Sequence, residues 1–438
     1  MAHTSAERFE EMQNLHREYV SLIENFLGEQ MKKRKPDSEI VKMISDFAVG
    51  RIIRKPGIRG YIFSKMSALV GVNDSKKIAY LSAAIELGLS SVYCFNVGAD
   101  NKAGYGGSKK TIAFKTAEYL KDIHREFIFS SAYFSPIERK KIWDIFALVY
   151  EGFYIGQTFD VLINTRENLG KSVIASLKSS RLSNDATAEF IFRQVDYDKI
   201  FLKNGESVFS EDSLDKFLWQ RIFGINAHMI EMFPFLIAAF HGGVPDLSLD
   251  SLALYGRYYG MGMMIINDVQ DFSLDLAGDV RATREKERSD VFADIKNGRV
   301  TWPIMIALKK KDNDLRKNLE TFYTHPYDAD IQESMRKDMV ESGIVGEVVL
   351  DGIAYGRLAN KSLEVFAKSH DREMLEDTAI SVTLLSKYVR FLSEKYGVRI
   401  RPGRIEINER VRETAEFLSE NDGLLLRPYR TVLPRVDF

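Results

Sequence analysis

The sequence predicts an all-α protein. Three observations carry that expectation. Apolar residues recur at helical spacing almost throughout, strand-like alternation is rare, and only 10 prolines interrupt 438 residues. There is no internal repeat and no glycine–serine linker. The organisation read from this is a helical unit over residues 1–400, with a C-terminal extension, 401–438, packed on it.

The elements follow in order. Leu15, Val20, Ile23 and Phe26 form the apolar face of an early helix. Ile78, Leu81, Ile85 and Leu89 mark another, and Ile142, Phe146, Val149 and Phe153 a third. Further helices are expected around 187–200, 212–240, 250–278, 300–311, 345–367 and 373–396. Residues 104–111, GYGGSKKT, superficially resemble a phosphate loop. Lysine stands where the second glycine belongs and the preceding segment is helical, so the stretch reads as a glycine loop carrying Lys109 and Lys110, or as plain surface. Residues 279–290 carry dense mixed charge and read as a loop. The extension opens at Pro402-Gly403 with one helix in it, and Leu424–Phe438 is expected to run extended.

Bulk properties narrow the function. A hydrophobic content of 45% supports a large core. A net charge of −1 gives no electrostatic case for nucleic acid. The single cysteine, Cys94, excludes an intrachain disulfide framework and suits a reducing compartment, as a buried inert thiol. The charged N-terminus is unlike a secretory signal, and no stretch reaches the roughly 18 uncharged apolar residues of a membrane span. A cytoplasmic protein without a transmembrane segment is therefore expected.

The chemistry concentrates at residues 263–303. Asp268, Asp271 and Asp275 are spaced i, i+3, i+7, which aligns three carboxylates on one helix face behind the apolar run Tyr258–Ile266. Carboxylates against apolar surroundings are costly unless a cation neutralises them. Mg²⁺ takes such oxygen ligands and leaves positions for phosphate oxygens. A solvated acidic face is the bland alternative. His228 and Glu231, three apart, are too few for a transition-metal site and read as core polar groups.

Several motifs, in order over about residues 50–310, resemble trans-prenyltransferases of the farnesyl diphosphate synthase type. Ile58-Arg59-Gly60 is similar to the end of that family's early basic motif, and Glu86-Leu87 lies on a helix like that of its first aspartate-rich motif. Gly156-Gln157-Thr158-Phe159-Asp160 is similar to GQxxD, and Asn226-Ala227 with Pro234 to its KTA helix. Asn267-Asp268-Val269-Gln270-Asp271, with Asp275, resembles the second aspartate-rich motif. Asp294 to Trp302 resembles the diphosphate-facing segment after it, with Arg299 in place of lysine. The resemblance implies an isoprenoid synthase-type antiparallel helix bundle around a central cavity, a homodimer, Mg²⁺ and an allylic prenyl diphosphate.

This chain departs from that family at several positions. In place of DDxxD stands Asn96-Val97-Gly98-Ala99-Asp100, with only the last carboxylate kept. The cations of the early basic motif fall on Pro56 and Gly57, and the lysine of the KTA helix is Ile225. Two diphosphates without those partners repel strongly. The reading is that one diphosphate site survives while the isopentenyl diphosphate pocket is lost. On that basis Asp268, Asp271 and Asp275 with Asp100 and Asn96 are the metal ligands, and Arg299 clamps a phosphate oxygen. Gln157, Asp160, Asn226, Lys109 and Lys110 face the substrate. Tyr93, Phe95, Phe153, Phe159, Phe233 and Tyr259 are candidate aromatic faces for a cation, against ordinary core packing. Loop 279–290 is a candidate lid. Small residues at Gly88, Ser91 and Val92 would leave a deep pocket for a farnesyl or longer tail. Terpene cyclisation is the first expectation. The alternatives are prenyl transfer to a non-isopentenyl acceptor, chain elongation, and a catalytically silent subunit of a heteromeric synthase.

Overall fold

The structure is a computed structural model describing residues 2–53, 57–99, 108–173, 175–176, 199, 202–204, 206–207, 214–222, 227–269, 272, 292–310, 312–383 and 407–433. Among these residues the fold is all-α. Strand pairing is confined to a hairpin of Leu202–Lys203 (β1) with Glu206–Ser207 (β2) and a lone bridge between Thr165 and Arg299.

The first half runs through α1 (Ala2–Arg34), α2 (Ser38–Ile44), a π-helical segment (Ser45–Ile53), α3 (Ile58–Leu69), α4 (Ser75–Ala99), α5 (Ser108–Ser130) and α6 (Pro136–Leu162). Apolar and small residues cover α4 nearly all round, which marks a central helix. It packs against α1, α3 and α5. By length and apolarity α4 alone among the described helices would suit a membrane, but 89% of its apolar window is covered by neighbours. Cys94 on it is buried and free. At the start of α6, Ser135 and Glu138 form a capping box with Pro136 behind it, which fixes where the helix begins.

The second half contains α7 (Leu214–Gln220), α8 (Ala227–Glu231), α9 (Phe233–Phe240), α10 (Asp246–Val269), α11 (Ala293–Lys296), α12 (Trp302–Lys309), α13 (Asn313–Thr324), α14 (Ala329–Glu341), α15 (Ile344–Ser362) and α16 (His370–Thr383). Over the helix expected at 212–240 the described residues form α7, α8 and α9; Pro234 lacks an N–H to continue the ladder, and α9 starts afresh after Met232. The expected helix 250–278 is described only to Val269, and the one expected at 187–200 lies almost wholly outside the described residues. Within this half the densest packing joins α10 to α15 and α8 to α10. Glycine makes both approaches possible. A Cβ at Gly352 would meet the Ile266 side chain at 2.7 Å, and one at Gly256 the Ile230 backbone at 2.6 Å.

The extension forms α17 (Glu409–Glu420), α18 (Asp422–Leu425) and α19 (Arg427–Val432). The extended run expected after Leu424 is thus helical through Val432. Pro428 sits in the first turn of α19, where its missing N–H costs nothing. Tyr429 is buried flat against Phe235, ring centres 4.8 Å apart.

Candidate functional site

Helices α6, α7, α10 and α12 converge on a buried polar junction. Asp268, in the last turn of α10, accepts bonds from Arg221 Nη2 at 2.6 Å (Oδ1) and 2.8 Å (Oδ2). Both side chains are fully enclosed. The N–H of Trp302, the first residue of α12, donates to Asp268 Oδ2 at 3.0 Å. The N-cap residue of α12, Thr301, makes no side-chain cap, so Asp268 supplies the acceptor from another helix. Burial raises the Asp268 pKa to about 6; Arg221 opposes the rise, Asp294 adds to it, and the Trp302 N–H opposes it.

A second ion pair adjoins the first. Arg299 lies 2.6 Å from Asp160 Oδ2 and 3.3 Å from Asp294 Oδ1. Its carbonyl accepts from the Tyr323 hydroxyl at 2.7 Å. The Asn164 Nδ2 group lies within hydrogen-bond range of Asp160 (3.2 Å), Gln220 at the end of α7 (3.3 Å) and the Val300 carbonyl before α12 (2.8 Å), sharing its two hydrogens among them. Gln157, one turn before Asp160, is buried with neither amide atom hydrogen-bonded, and Asn96 Oδ1 is likewise buried without a partner. Such orphans are exceptions in folded proteins and mark places that an outside group would complete.

Glu86 organises a third cluster, on the α3 side. Its carboxylate accepts from the Gly60 N–H at 2.9 Å and from the Arg59 N–H, capping α3 from a distance. Burial raises its pKa, against the pull of those N–H groups and of the Arg59 charge. A Cβ at Gly57 would overlap this carboxylate. Arg59 is buried, its guanidinium 5.9 Å from the Tyr93 ring centre. Where the resemblance puts a cation for a second diphosphate, this chain has Gly57, and Glu86 leaves no room for a side chain there.

Five of the six expected aromatics pack on other rings, and Tyr93 lies against the Arg59 guanidinium. Phe95 meets Phe114, Phe153 and Tyr154 at 5.0, 5.5 and 4.8 Å. Phe159 lies flat on Trp219 at 4.5 Å, Phe233 stands edge-on to Phe63 at 5.8 Å, and Tyr259 stacks on Tyr255. The deep pocket expected beside Gly88 is corrected. A Cβ there would meet the His124 ring at 2.9 Å and the Tyr150 hydroxyl at 3.3 Å. Ser91 is bonded to the Ala117 carbonyl. Side chains from α5 and α6 fill the volume that the glycine leaves, so residue size at 88 gives no measure of tail length.

Lys110 is half-buried on α5. Asp100, Asn226, Asp271, Asp275, the side chain of Lys109 and loop 279–290 lie outside the described residues. Glu231 is confirmed as a satisfied core acid, held by Arg257 at 3.1 Å. Arg221 was missed by the sequence reading, although it is the one cation in the apolar run FLWQRIFGI, one turn before Ile225. Among the described residues no three His, Cys, Asp or Glu side chains cluster as a metal cage. The donors present nonetheless suit a hard cation, since Asp268 and the orphaned Asn96 Oδ1 are both oxygens.

This all-α scaffold is the isoprenoid synthase fold, in a divergent form. No protein-family model matches the chain. The chain is similar to a polyprenyl synthase from Caulobacter crescentus, solved with calcium and isoprenyl diphosphate, at TM-score 0.58 and 14% identity over 84% of this chain and 97% of that one. A geranylgeranyl pyrophosphate synthetase from Pyrococcus horikoshii matches at TM-score 0.58 and 15% identity, over 87% and 98%. A heptaprenyl diphosphate synthase from Staphylococcus aureus matches at 0.56 and 16%, over 85% and 98%. At these identities the likeness is one of fold.

Proposed function

We propose that the chain is a Mg²⁺-dependent enzyme that ionises an allylic prenyl diphosphate and captures the cation within the same substrate, as a terpene synthase does. One observation carries the choice of cyclisation over elongation: Pro56, Gly57 and Ile225 stand where the resemblance puts the cations for a second diphosphate, and Glu86 leaves no room for a side chain at Gly57. Without those cations a second diphosphate beside the first would be repelled.

Arg299, aimed by Asp160 and Asp294, would exchange its partly exposed Asp294 contact for a phosphate oxygen. Arg221 keeps the Asp268 carboxylate ionised in a buried setting. The amides of Asn96 and Gln157 would find their missing partners in the bound head group or its ion. Asp268 and Asn96, with Asp100, Asp271 and Asp275, would hold Mg²⁺. Bound Mg²⁺ supplies neutralisation of the leaving diphosphate. The enclosing rings around Phe95 would exclude water from the cation. A homodimer is part of the same proposal, tested by light scattering.

The test is incubation with Mg²⁺ and geranyl, farnesyl or geranylgeranyl diphosphate, each alone, then with isopentenyl diphosphate added. Hydrocarbon or cyclic alcohol from one substrate alone, abolished by EDTA, is the expected result. Longer diphosphates after the addition would overturn the lost-pocket reading. Pyrophosphate release only with another acceptor would make the chain a transferase, and turnover only with a second chain would make it a subunit.

A further inference from the structure

The extension reaches the candidate site through a continuous set of hydrogen bonds. Asp351, in the middle of α15, is completely buried. Its Oδ2 accepts from the Trp302 indole N–H at 2.7 Å and from Arg410 at 2.6 and 2.9 Å. Its Oδ1 accepts from the Asn408 amide. Asn408 is also the N-cap of α17, accepting from the Val411 N–H at 3.0 Å. The Arg410 guanidinium stands 5.9 Å from the centre of the Trp302 ring. Phe217 of α7 packs tilted on the same indole, ring centres 4.2 Å apart.

We propose that residues 407–411 are a positioning element of the site, acting on Asp268 through Asp351 and Trp302. Arg410 and Asn408 neutralise and orient Asp351. Asp351 fixes the indole. The fixed indole sets the start of α12, and with it the backbone N–H that grips Asp268 Oδ2. A buried carboxylate needs such a cation; without Arg410, Asp351 would be an uncompensated charge between the extension and the site. Outer partners of this kind usually change ligand affinity about 10- to 100-fold when removed. Trp302 and Asp351 are positioning residues here, and Asp268 is the group they position.

The remaining anchors of the extension lie elsewhere. Arg257 joins Asp422 to Glu231, and Arg430 joins Asp250. They provide the control, because a merely structural extension would respond alike at every anchor.

This inference rests on the proposed metal–diphosphate site, and the experiment separates the two. Six full-length chains are compared: wild type, Arg410→Ala, Trp302→Phe, the double variant of these two, Arg410→Lys and Arg430→Ala. Hydrogen exchange of the peptide containing the Trp302 amide is read without ligand. Binding of Mg²⁺ with pyrophosphate is read by calorimetry. Trp302→Phe removes the indole donor and also shortens a fully buried ring, so the relay is read from Arg410→Ala and its lysine rescue, with Trp302→Phe in support. Expected are faster exchange at 302 and about tenfold weaker binding in Arg410→Ala and Trp302→Phe, with the double variant no weaker than either. Arg410→Lys should recover part of the loss, and Arg430→Ala should leave both readings at wild-type values. Unchanged exchange at 302 in Arg410→Ala would overturn the relay even if the site binds pyrophosphate. Equal losses in Arg430→Ala would reduce the extension to general support. No binding by wild type, with exchange at 302 still sensitive to Arg410, would sink the metal site and leave the mechanical link standing.

Discussion

Asp268 and Glu86 are two buried carboxylates doing the same local job in different company. Each caps the first turn of a helix it does not belong to, Asp268 at Trp302 and Glu86 at Gly60. In both cases the helix's own N-cap residue, Thr301 or Gly57, makes no side-chain cap. Asp268 also holds a guanidinium in direct contact and adjoins a second ion pair. Glu86 instead lies against a glycine that leaves no room for a neighbouring side chain. The difference teaches that one acid can cap a helix while holding a guanidinium, whereas the other caps a helix and excludes any side chain at residue 57.

The largest expected effect comes from breaking the first member. Asp268→Asn should lower prenyl diphosphate turnover about 100- to 1000-fold, read as pyrophosphate release. Arg221→Leu leaves Asp268 as a buried, uncompensated charge and should cost about 3–5 kcal/mol in urea unfolding. If Arg221→Leu unfolds at the wild-type midpoint, the pair contributes nothing and the comparison fails.

A buried titratable group without an opposite charge sharpens the contrast. His124 is enclosed beside Tyr150, and burial lowers its pKa to about 3 from the ordinary 6.5. Its folded pKa is depressed, so the stability it leaves intact above the ordinary imidazole range is lost as pH falls towards 3. The chain should lose about 2 kcal/mol between neutrality and about pH 5 through this group. His124→Gln should remove that part of the acid sensitivity, measured by unfolding at both pH values.

Smaller effects are expected at the second carboxylate. Glu86→Gln keeps an acceptor for the Gly60 N–H and should cost about 1 kcal/mol, with the product set unchanged. A loss as large as that of Arg221→Leu would erase the distinction between the two acids. Smallest is Gln157→Leu. Removing an unpaired buried amide should change stability by less than about 1 kcal/mol, while a raised KM for the diphosphate would mark it as a substrate contact.

Much of this was legible beforehand. The helical class followed from periodicity, and the aspartate helix, GQxxD and the Asp294–Trp302 segment were all visible as spaced motifs. The loss of cations at Pro56 and Gly57 was equally plain. What was not legible was volume. Gly88 reads as an opening, and only the placement of α5 and α6 shows His124 and Tyr150 filling it. The helix at Arg427–Val432 is not legible because Pro428 and its short length argue locally against it, whereas burial of Tyr429 on Phe235 favours it.

By itself the sequence determined the helical class, most of the long helices and which residue types stand in each motif, because periodicity and spacing are local properties of a chain. Partnership was decided by the tertiary structure alone. Arg221 meets Asp268 across 47 residues, and Arg410 meets Asp351 across 59. A charge removed from water must find its opposite wherever packing places it, and no local pattern encodes that address.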